Sequence, residues 1–337
     1  MSIRFGLIGA GRMGQVLAHH LAYSVAEANF VAVADMDATL AQDTATRFGA
    51  EAGYGDNEEL LARQDIDAVV IATPTNTHPE VIIAAAQVGK HIFSEKPLAL
   101  TVEACETAIA AVEAAGVKFQ IGFMRRYDPG YVMAKKQIEA GVIGKPVMFK
   151  SLGRDPKRTS LEFARREASG GLIADMGVHD FDLARWLMGS EVERVSTEGG
   201  CLVYPELEQV GDIDNAVINL KFENGAVGNI DVSRNAVYGY DIRTEILGSE
   251  GSLMIGKLRE SPLLVMTRAG IRYDTVPYFI QPFDEAYAAE IRDFVRCIVK
   301  DLEPSVTGKD GWAATTISIA ATLSLDEGRP VYLSELK

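Results

Sequence analysis

The chain has 337 residues, 47% of them hydrophobic, with 33 basic against 47 acidic side chains for a formal net charge of −14. That length accommodates two domains with separate cores, and the acidic balance argues against a nucleic-acid partner, which calls for a basic footprint. No apolar run reaches a membrane span and no secretory signal is expected before the first strand. Cys105, Cys201 and Cys297 lie far apart and suggest neither a disulfide framework nor a zinc site, so a cytoplasmic location is expected.

In chain order, Ile3 to Ile8 is a short apolar run with the pattern of a buried parallel strand. Gly9-Ala10-Gly11-Arg12-Met13-Gly14 follows it. Glycines at this spacing permit a tight turn, close approach of backbone to a pyrophosphate and close packing of the next helix, predicted from Arg12 to Tyr23. The N–H groups of that helix start, including those of Arg12 and Met13, would face the phosphates. The next strand, Phe30 to Ala34, ends in Asp35. An acidic residue about twenty positions beyond the glycines is placed to bind ribose hydroxyls and to repel a 2′-phosphate, which favours NAD over NADP. Asp37 adds to the repulsion. Asp35 as a mere helix cap is the competing reading.

Ala68 to Ala72 is another apolar strand, running into Thr73-Pro74-Thr75-Asn76-Thr77-His78 and a helix from Pro79 to Val88. His91 to Phe93 starts the next strand and Glu95-Lys96-Pro97 follows it. A helix from Thr101 to Ala115 and a strand from Lys118 to Gly122 complete the set. This alternation predicts a doubly wound parallel sheet, an α/β Rossmann domain over residues 1–122. Ligands bind beyond the carboxyl ends of such strands, so Thr73, Asn76, His78, Glu95 and Lys96 should line the crevice.

Beyond residue 122 the pattern changes. A helix from Pro129 to Ala140 precedes strand-like segments at 192–203, 214–222, 226–233, 243–247, 251–256, 263–267 and 271–276, with Asn224-Gly225 as a hairpin signal. Helices at 284–300 and 311–327 follow. Residues 123–337 therefore read as an α+β domain with a large, mostly antiparallel open sheet, for substrate binding and oligomerisation. Its C-terminal helix has the option of packing back on the first domain. Covering one face of such a sheet by a dimer or tetramer is natural.

Asp175 and His179 are spaced i,i+4 and share one face if helical. Histidine suits the removal of a hydroxyl proton as hydride leaves carbon, its pKa of about 6.5 lying near working pH. Asp175 would orient the imidazole or bind substrate, and Lys96 would hold the alcohol oxygen. Each has a plainer reading: a surface Asp/His pair and a surface lysine. No third and fourth ligands accompany the pair, so no metal site is expected.

Gly9-x-Gly11-x-x-Gly14, the segment 73–78, Glu95-Lys96-Pro97 and Asp175-x-x-x-His179, in this order, resemble the Gfo/Idh/MocA family of dinucleotide-dependent sugar and cyclitol oxidoreductases over essentially the whole chain. The resemblance implies Lys96, Asp175 and His179 as the catalytic set, with His179 accepting the proton. It also implies a cis peptide before Pro97 and places Glu95 toward the nicotinamide ribose. Gly122 to Asp128 looks like the segment found in the inositol 2-dehydrogenases of that family. By this analogy Arg126 reaches the substrate hydroxyls, and the Arg154-Asp155-Pro156 loop and Tyr238 line the same pocket. Asp155 stands where those enzymes often show Asn, and pairing with Arg154, Lys157 or Arg158 is its plainer role. The expected activity is NAD-dependent oxidation of a cyclitol, myo-inositol to scyllo-inosose. Scyllo-inositol, an aldose or an anhydro-sugar is the nearer alternative, and a non-catalytic NAD-binding sensor the remoter one.

Overall fold

The computed structural model describes residues 2–256, 259, 261 and 263–336. The chain divides into two compact units, one of residues 1–127 and 285–315, the other of 128–284 and 316–337.

The first unit is built on β1 (Ile3–Ile8), α1 (Arg12–Tyr23), β2 (Ala28–Ala34), α2 (Ala38–Phe48), β3 (Ala52–Tyr54), α3 (Asn57–Leu61), β4 (Ala68–Ile71), α4 (His78–Gln87), β5 (His91–Glu95), α5 (Val102–Ala115) and β6 (Phe119–Gly122). The strands form one six-stranded sheet in the order β3-β2-β1-β4-β5-β6, and every pairing is parallel. A parallel sheet flanked by helices is buried on both faces. That is why β4 is an unbroken apolar run with all four residues at 0% exposure. Each of its valines and its isoleucine contributes about 1.5–3 kcal/mol by burial. Asp37 caps α2 by accepting the N–H groups of Thr39 and Leu40, and Thr101 caps α5 through the Ala104 N–H. Residues 285–315 return to this unit, where Phe294 packs against Phe5 and Phe93 at ring-centroid distances of 6.2 and 6.0 Å.

The second unit contains α6 (Pro129–Glu139), β7 (Pro146–Arg154), two one-turn helices α7 (Leu161–Ala164) and α8 (Arg166–Ser169), a π-helical turn at Ile173–Gly177, and α9 (Val178–Met188). Then come β8 (Val192–Gly200), β9 (Asn215–Phe222), β10 (Val227–Ser233), β11 (Asp241–Gly248), β12 (Ser252–Gly256), a small hairpin of β13 (Val265–Thr267) and β14 (Gly270–Arg272), and β15 (Val331–Tyr332). The long helices α10 (Ile280–Lys300) and α11 (Gly308–Glu327) each contribute to both units. The seven-stranded sheet has the order β12-β11-β7-β10-β9-β8-β15, with only β7 and β10 parallel. On β9, Ala216, Ile218, Leu220 and Phe222 point into the core, whereas Val217 and Asn219 point outward, the period of a half-buried strand. The Asn224-Gly225 turn joins β9 to β10 as an antiparallel hairpin, with Gly225 in the left-handed region at φ 87°.

β7, in the middle of this sheet, was not among the predicted strands. Its sequence, PVMFKSLGR, mixes Lys, Ser, Gly and Arg into a strand that is only alternately buried.

Candidate active site

The glycine turn meets the demands of a dinucleotide in its backbone. Gly9 has φ +96°, and a Cβ there would lie 2.6 Å from the Ala72 carbonyl. A Cβ on Gly14 would lie 2.0 Å from the Gly9 carbonyl oxygen, so this glycine lets α1 press on the strand end. Nothing lies within 4 Å of a Cβ on Gly11: the second glycine faces open space, where a pyrophosphate would approach. α1 has no side-chain cap and no acid in its first turn, which leaves its positive end directed at an anion. These features fit a dinucleotide.

Asp35 accepts the Ala10 N–H at 2.7 Å through Oδ2 and the Asp37 N–H at 2.9 Å through Oδ1. The cap of α2 is Asp37, so Asp35 does not serve as that cap. It braces the glycine turn from the end of β2.

Beyond β4, Asn76 is exposed and Thr73 half-buried, with the Thr77 hydroxyl 2.8 Å from the Thr73 hydroxyl. His78 is placed differently from the crevice-lining role expected of it. It is 1% exposed, and its ring nitrogens lie 2.8 Å from the Pro97 carbonyl oxygen and 3.0 Å from that of Thr73. Burial holds its pKa below the ordinary imidazole value. It therefore ties the loop after β4 to the segment after β5.

That segment carries a cis Lys96–Pro97 bond. Glu95 is buried and its Oε2 accepts the Lys96 N–H at 3.2 Å. Arg126, on the turn after β6, is held by Asp310 at 2.8 Å, and Asp310 in turn accepts the N–H and hydroxyl of Thr307. A guanidinium fixed at one corner presents its remaining donors in a set direction.

In the second unit, Asp175 falls in the π-helical turn and His179 in the first turn of α9. The pair is thus not on a uniform α-helix, and π-turns are frequent at functional sites. His179 is 8% exposed. The Asp175 carboxylate faces the buried Arg234 guanidinium at 3.4 Å, and Asp212 lies 3.7 Å from the same nitrogen. Burial pushes the Asp212 carboxyl up from its ordinary value, against the pull of Arg234. Neither Arg234 nor Asp212 was singled out in the sequence. The one signal for Arg234 was a charged residue directly after the strand β10.

The Asp155 backbone is fixed by two bonds, its N–H to the Ser233 carbonyl and its carbonyl to the Ala236 N–H, both 2.8 Å. Two of the expected pairings for Asp155 are otherwise engaged: Arg154 forms a two-pronged ion pair with Asp231, and Arg158 binds Glu206 at 2.8 Å. Tyr238 donates to Asp241 at 2.8 Å and receives a bond from Arg154 at 3.3 Å. Among the described residues no group of three or more His, Cys, Asp or Glu side chains could hold a metal ion. No described helix is long and apolar enough to cross a membrane.

A parallel βαβ sheet with an uncapped glycine-rich helix start and an acid closing its second strand defines a dinucleotide-binding domain of the Rossmann class. Residues 3–123 match the family model described as oxidoreductase family, NAD-binding Rossmann fold, and residues 135–333 match that of the C-terminal alpha/beta domain. The chain belongs to the Gfo/Idh/MocA oxidoreductase family. It is 42% identical over 98% of its length to scyllo-inositol 2-dehydrogenase (NAD(+)) of Bacillus subtilis, covering 96% of that protein. It is 38% identical to myo-inositol 2-dehydrogenase of Thermotoga maritima over 99% of both chains. The solved structure of Lactobacillus casei scyllo-inositol dehydrogenase with NAD(H) and scyllo-inositol superposes with a TM-score of 0.94 at 31% identity, covering 99% of this chain and all of that one.

Proposed function

We propose that the chain oxidises a secondary alcohol of a cyclitol to the ketone with NAD, and that myo-inositol, yielding scyllo-inosose, is its substrate. The observation that carries this reading is the full-length similarity, at 42% and 38% identity, to proteins named inositol 2-dehydrogenases. NAD supplies the hydride acceptor. His179 takes the hydroxyl proton, and Asp175, steadied by Arg234, orients the imidazole or binds a hydroxyl. Lys96 holds the reacting oxygen, where its charge favours the alkoxide that develops as hydride leaves. Arg126, Asp155 and Tyr238 select which hydroxyl reacts. Gly9, Gly11, Arg12, Met13, Gly14, Asp35, Thr73, Asn76 and Glu95 hold the dinucleotide.

A second substrate, scyllo-inositol, is favoured by the name of the 42% identical relative. Myo-inositol oxidised at C2 and scyllo-inositol give the same ketone, because they differ only in the configuration of the reacting carbon. Reducing scyllo-inosose with NADH and identifying the product by NMR therefore decides between them. Myo-inositol as product supports the first reading and scyllo-inositol the second. No turnover in either direction, on these or on aldoses, overturns both.

We also propose a cytoplasmic homo-oligomer, a dimer or tetramer. The three free thiols support a reducing compartment. Val217, Val227, Leu247 and Met254, exposed on β9, β10, β11 and β12 of the seven-stranded sheet, support burial of that face against another copy. A monomer by light scattering removes this assignment.

A further inference from the structure

Two carboxyl groups are buried inside the first unit with oxygens left unmatched. Glu95 ends β5 at 6% exposure, and Glu290 sits on α10 at 0%. Among the described residues neither oxygen of the Glu290 carboxyl has a hydrogen-bond partner, and neither does Glu95 Oε1. Gln120 on β6 is fully buried too. Its Nε2 donates to the Glu290 backbone carbonyl at 2.9 Å, while its Oε1 is unmatched. Gly122 makes room for this cluster: a Cβ there would meet Glu95 Oε1 at 3.4 Å and the Phe93 ring at 3.2 Å. Phe93, two residues before Glu95 on β5, packs on Phe294, one turn beyond Glu290 on α10.

The charged groups acting on the cluster are few. Lys96 favours the ionised form of Glu95, and ionised Glu95 disfavours ionisation of Glu290. Tyr127, on the turn after β6, feels the charges of Asp293 and Glu290 and donates its hydroxyl to Asp293 at 2.9 Å. Two bare carboxylates buried here would each lack the hydrogen bonds and counter-charge that water supplies, and like charges in one site cannot both ionise easily.

We propose that Glu95 and Glu290 form a buried acid pair that holds a proton, that Glu290 acts as a positioning residue for Glu95, and that Glu95 releases its proton when NAD+ binds. Burial pushes the Glu95 carboxyl up to about 7, against the pull of Lys96. Burial and then the charge on Glu95 push Glu290 well above the ordinary carboxylate value. The pair titrates as a unit. The link to the cofactor rests on the reading of Glu95 as facing the nicotinamide ribose. The oxidised ring carries a positive charge and the reduced ring does not, so only NAD+ draws the proton off. As pH rises through neutrality the unliganded pair loses that proton unaided, and NAD+ affinity rises relative to that of NADH.

Infrared spectroscopy of the apo protein tests the pair without cofactor. A neutral carboxylic acid band should persist well above neutrality and disappear in Glu290→Gln. A second should titrate near neutrality and disappear in Glu95→Gln. Absence of any neutral-acid band above neutrality in the wild type overturns the pair, whether or not the variants fold. Calorimetry of NAD+ and NADH binding in two buffers of different ionisation enthalpy tests the link. About half a proton should leave with NAD+ at neutral pH and none with NADH. Binding of both without proton release overturns the link. Binding of neither nucleotide refutes the cofactor reading itself, and the infrared result still decides the pair.

Discussion

The Asp35 carboxylate receives the Ala10 N–H at 2.7 Å, so the residue assigned to the adenosine ribose also holds the glycine turn in shape. Replacing it has two separable effects. Asp35→Ser should weaken NAD binding by about tenfold or more, the scale of a charge-assisted hydrogen bond, and shift preference toward NADP by removing the repulsive charge. Fluorescence titration with both cofactors measures this. An unchanged NAD to NADP ratio would take Asp35 out of the ribose site.

The glycines divide by what a methyl group would strike. Gly14→Ala places a Cβ against the Gly9 carbonyl and should destabilise the fold by about 1–3 kcal/mol. Gly11→Ala meets open space, so its melting temperature should stay near wild type while NAD affinity falls. Thermal melts with and without cofactor separate the two. If Gly11→Ala binds NAD normally, the approach of the pyrophosphate to that residue is wrong.

Lys96 and His179 carry the proposed chemistry. Lys96→Ala and His179→Ala should each lower turnover by more than about a hundredfold, the scale of acid–base groups, with NAD affinity changed much less. Near-normal turnover in either variant excludes that residue from the mechanism.

Asp214 should leave a mark on the pH dependence of stability. It is fully buried and accepts the N–H groups of Leu202, Val203 and Tyr204 and the Asn215 side-chain amide at 2.6–2.8 Å. Burial pushes its carboxyl up, but these donors outweigh that and hold it below the ordinary aspartate value. The folded state thus binds this proton less readily than the unfolded one. The stabilisation is complete above about pH 4 and disappears as pH falls through the lower, folded value. Asp214→Asn should cost about 2–3 kcal/mol at neutral pH, with the gap to wild type narrowing below about pH 4. Denaturant melts across that range would show a constant gap if the carboxylate is not the cause.

What was legible in the sequence was local. The glycine turn, Asp35 and the apolar parallel strands each express their role within a few residues, so the Rossmann domain could be read nearly strand by strand. The Asp175–His179 spacing was legible too, but the π-turn that carries Asp175 was not, because one extra residue in a helical turn leaves no compositional trace. The partners that fix the candidate site were illegible for another reason. Arg234 lies 59 residues from Asp175, and Asp310 lies 184 from Arg126. Such pairs are made by the fold, and no spacing rule reaches across them. β7 escaped because its exposed face is as polar as a loop.

The first unit is finished by residues made last. Gln120 waits 170 residues for the Glu290 carbonyl, and Phe5 and Phe93 wait for Phe294. A nascent chain that has emerged only to residue 127 therefore carries its parallel sheet with aromatic surface still bare, a species prone to stick to others. Swapping substrate domains between relatives inherits the same constraint. A graft has to be cut at 127/128, 284/285 and 315/316, and a chimera joined only at the first of these would pair one protein's sheet with another's closing helix.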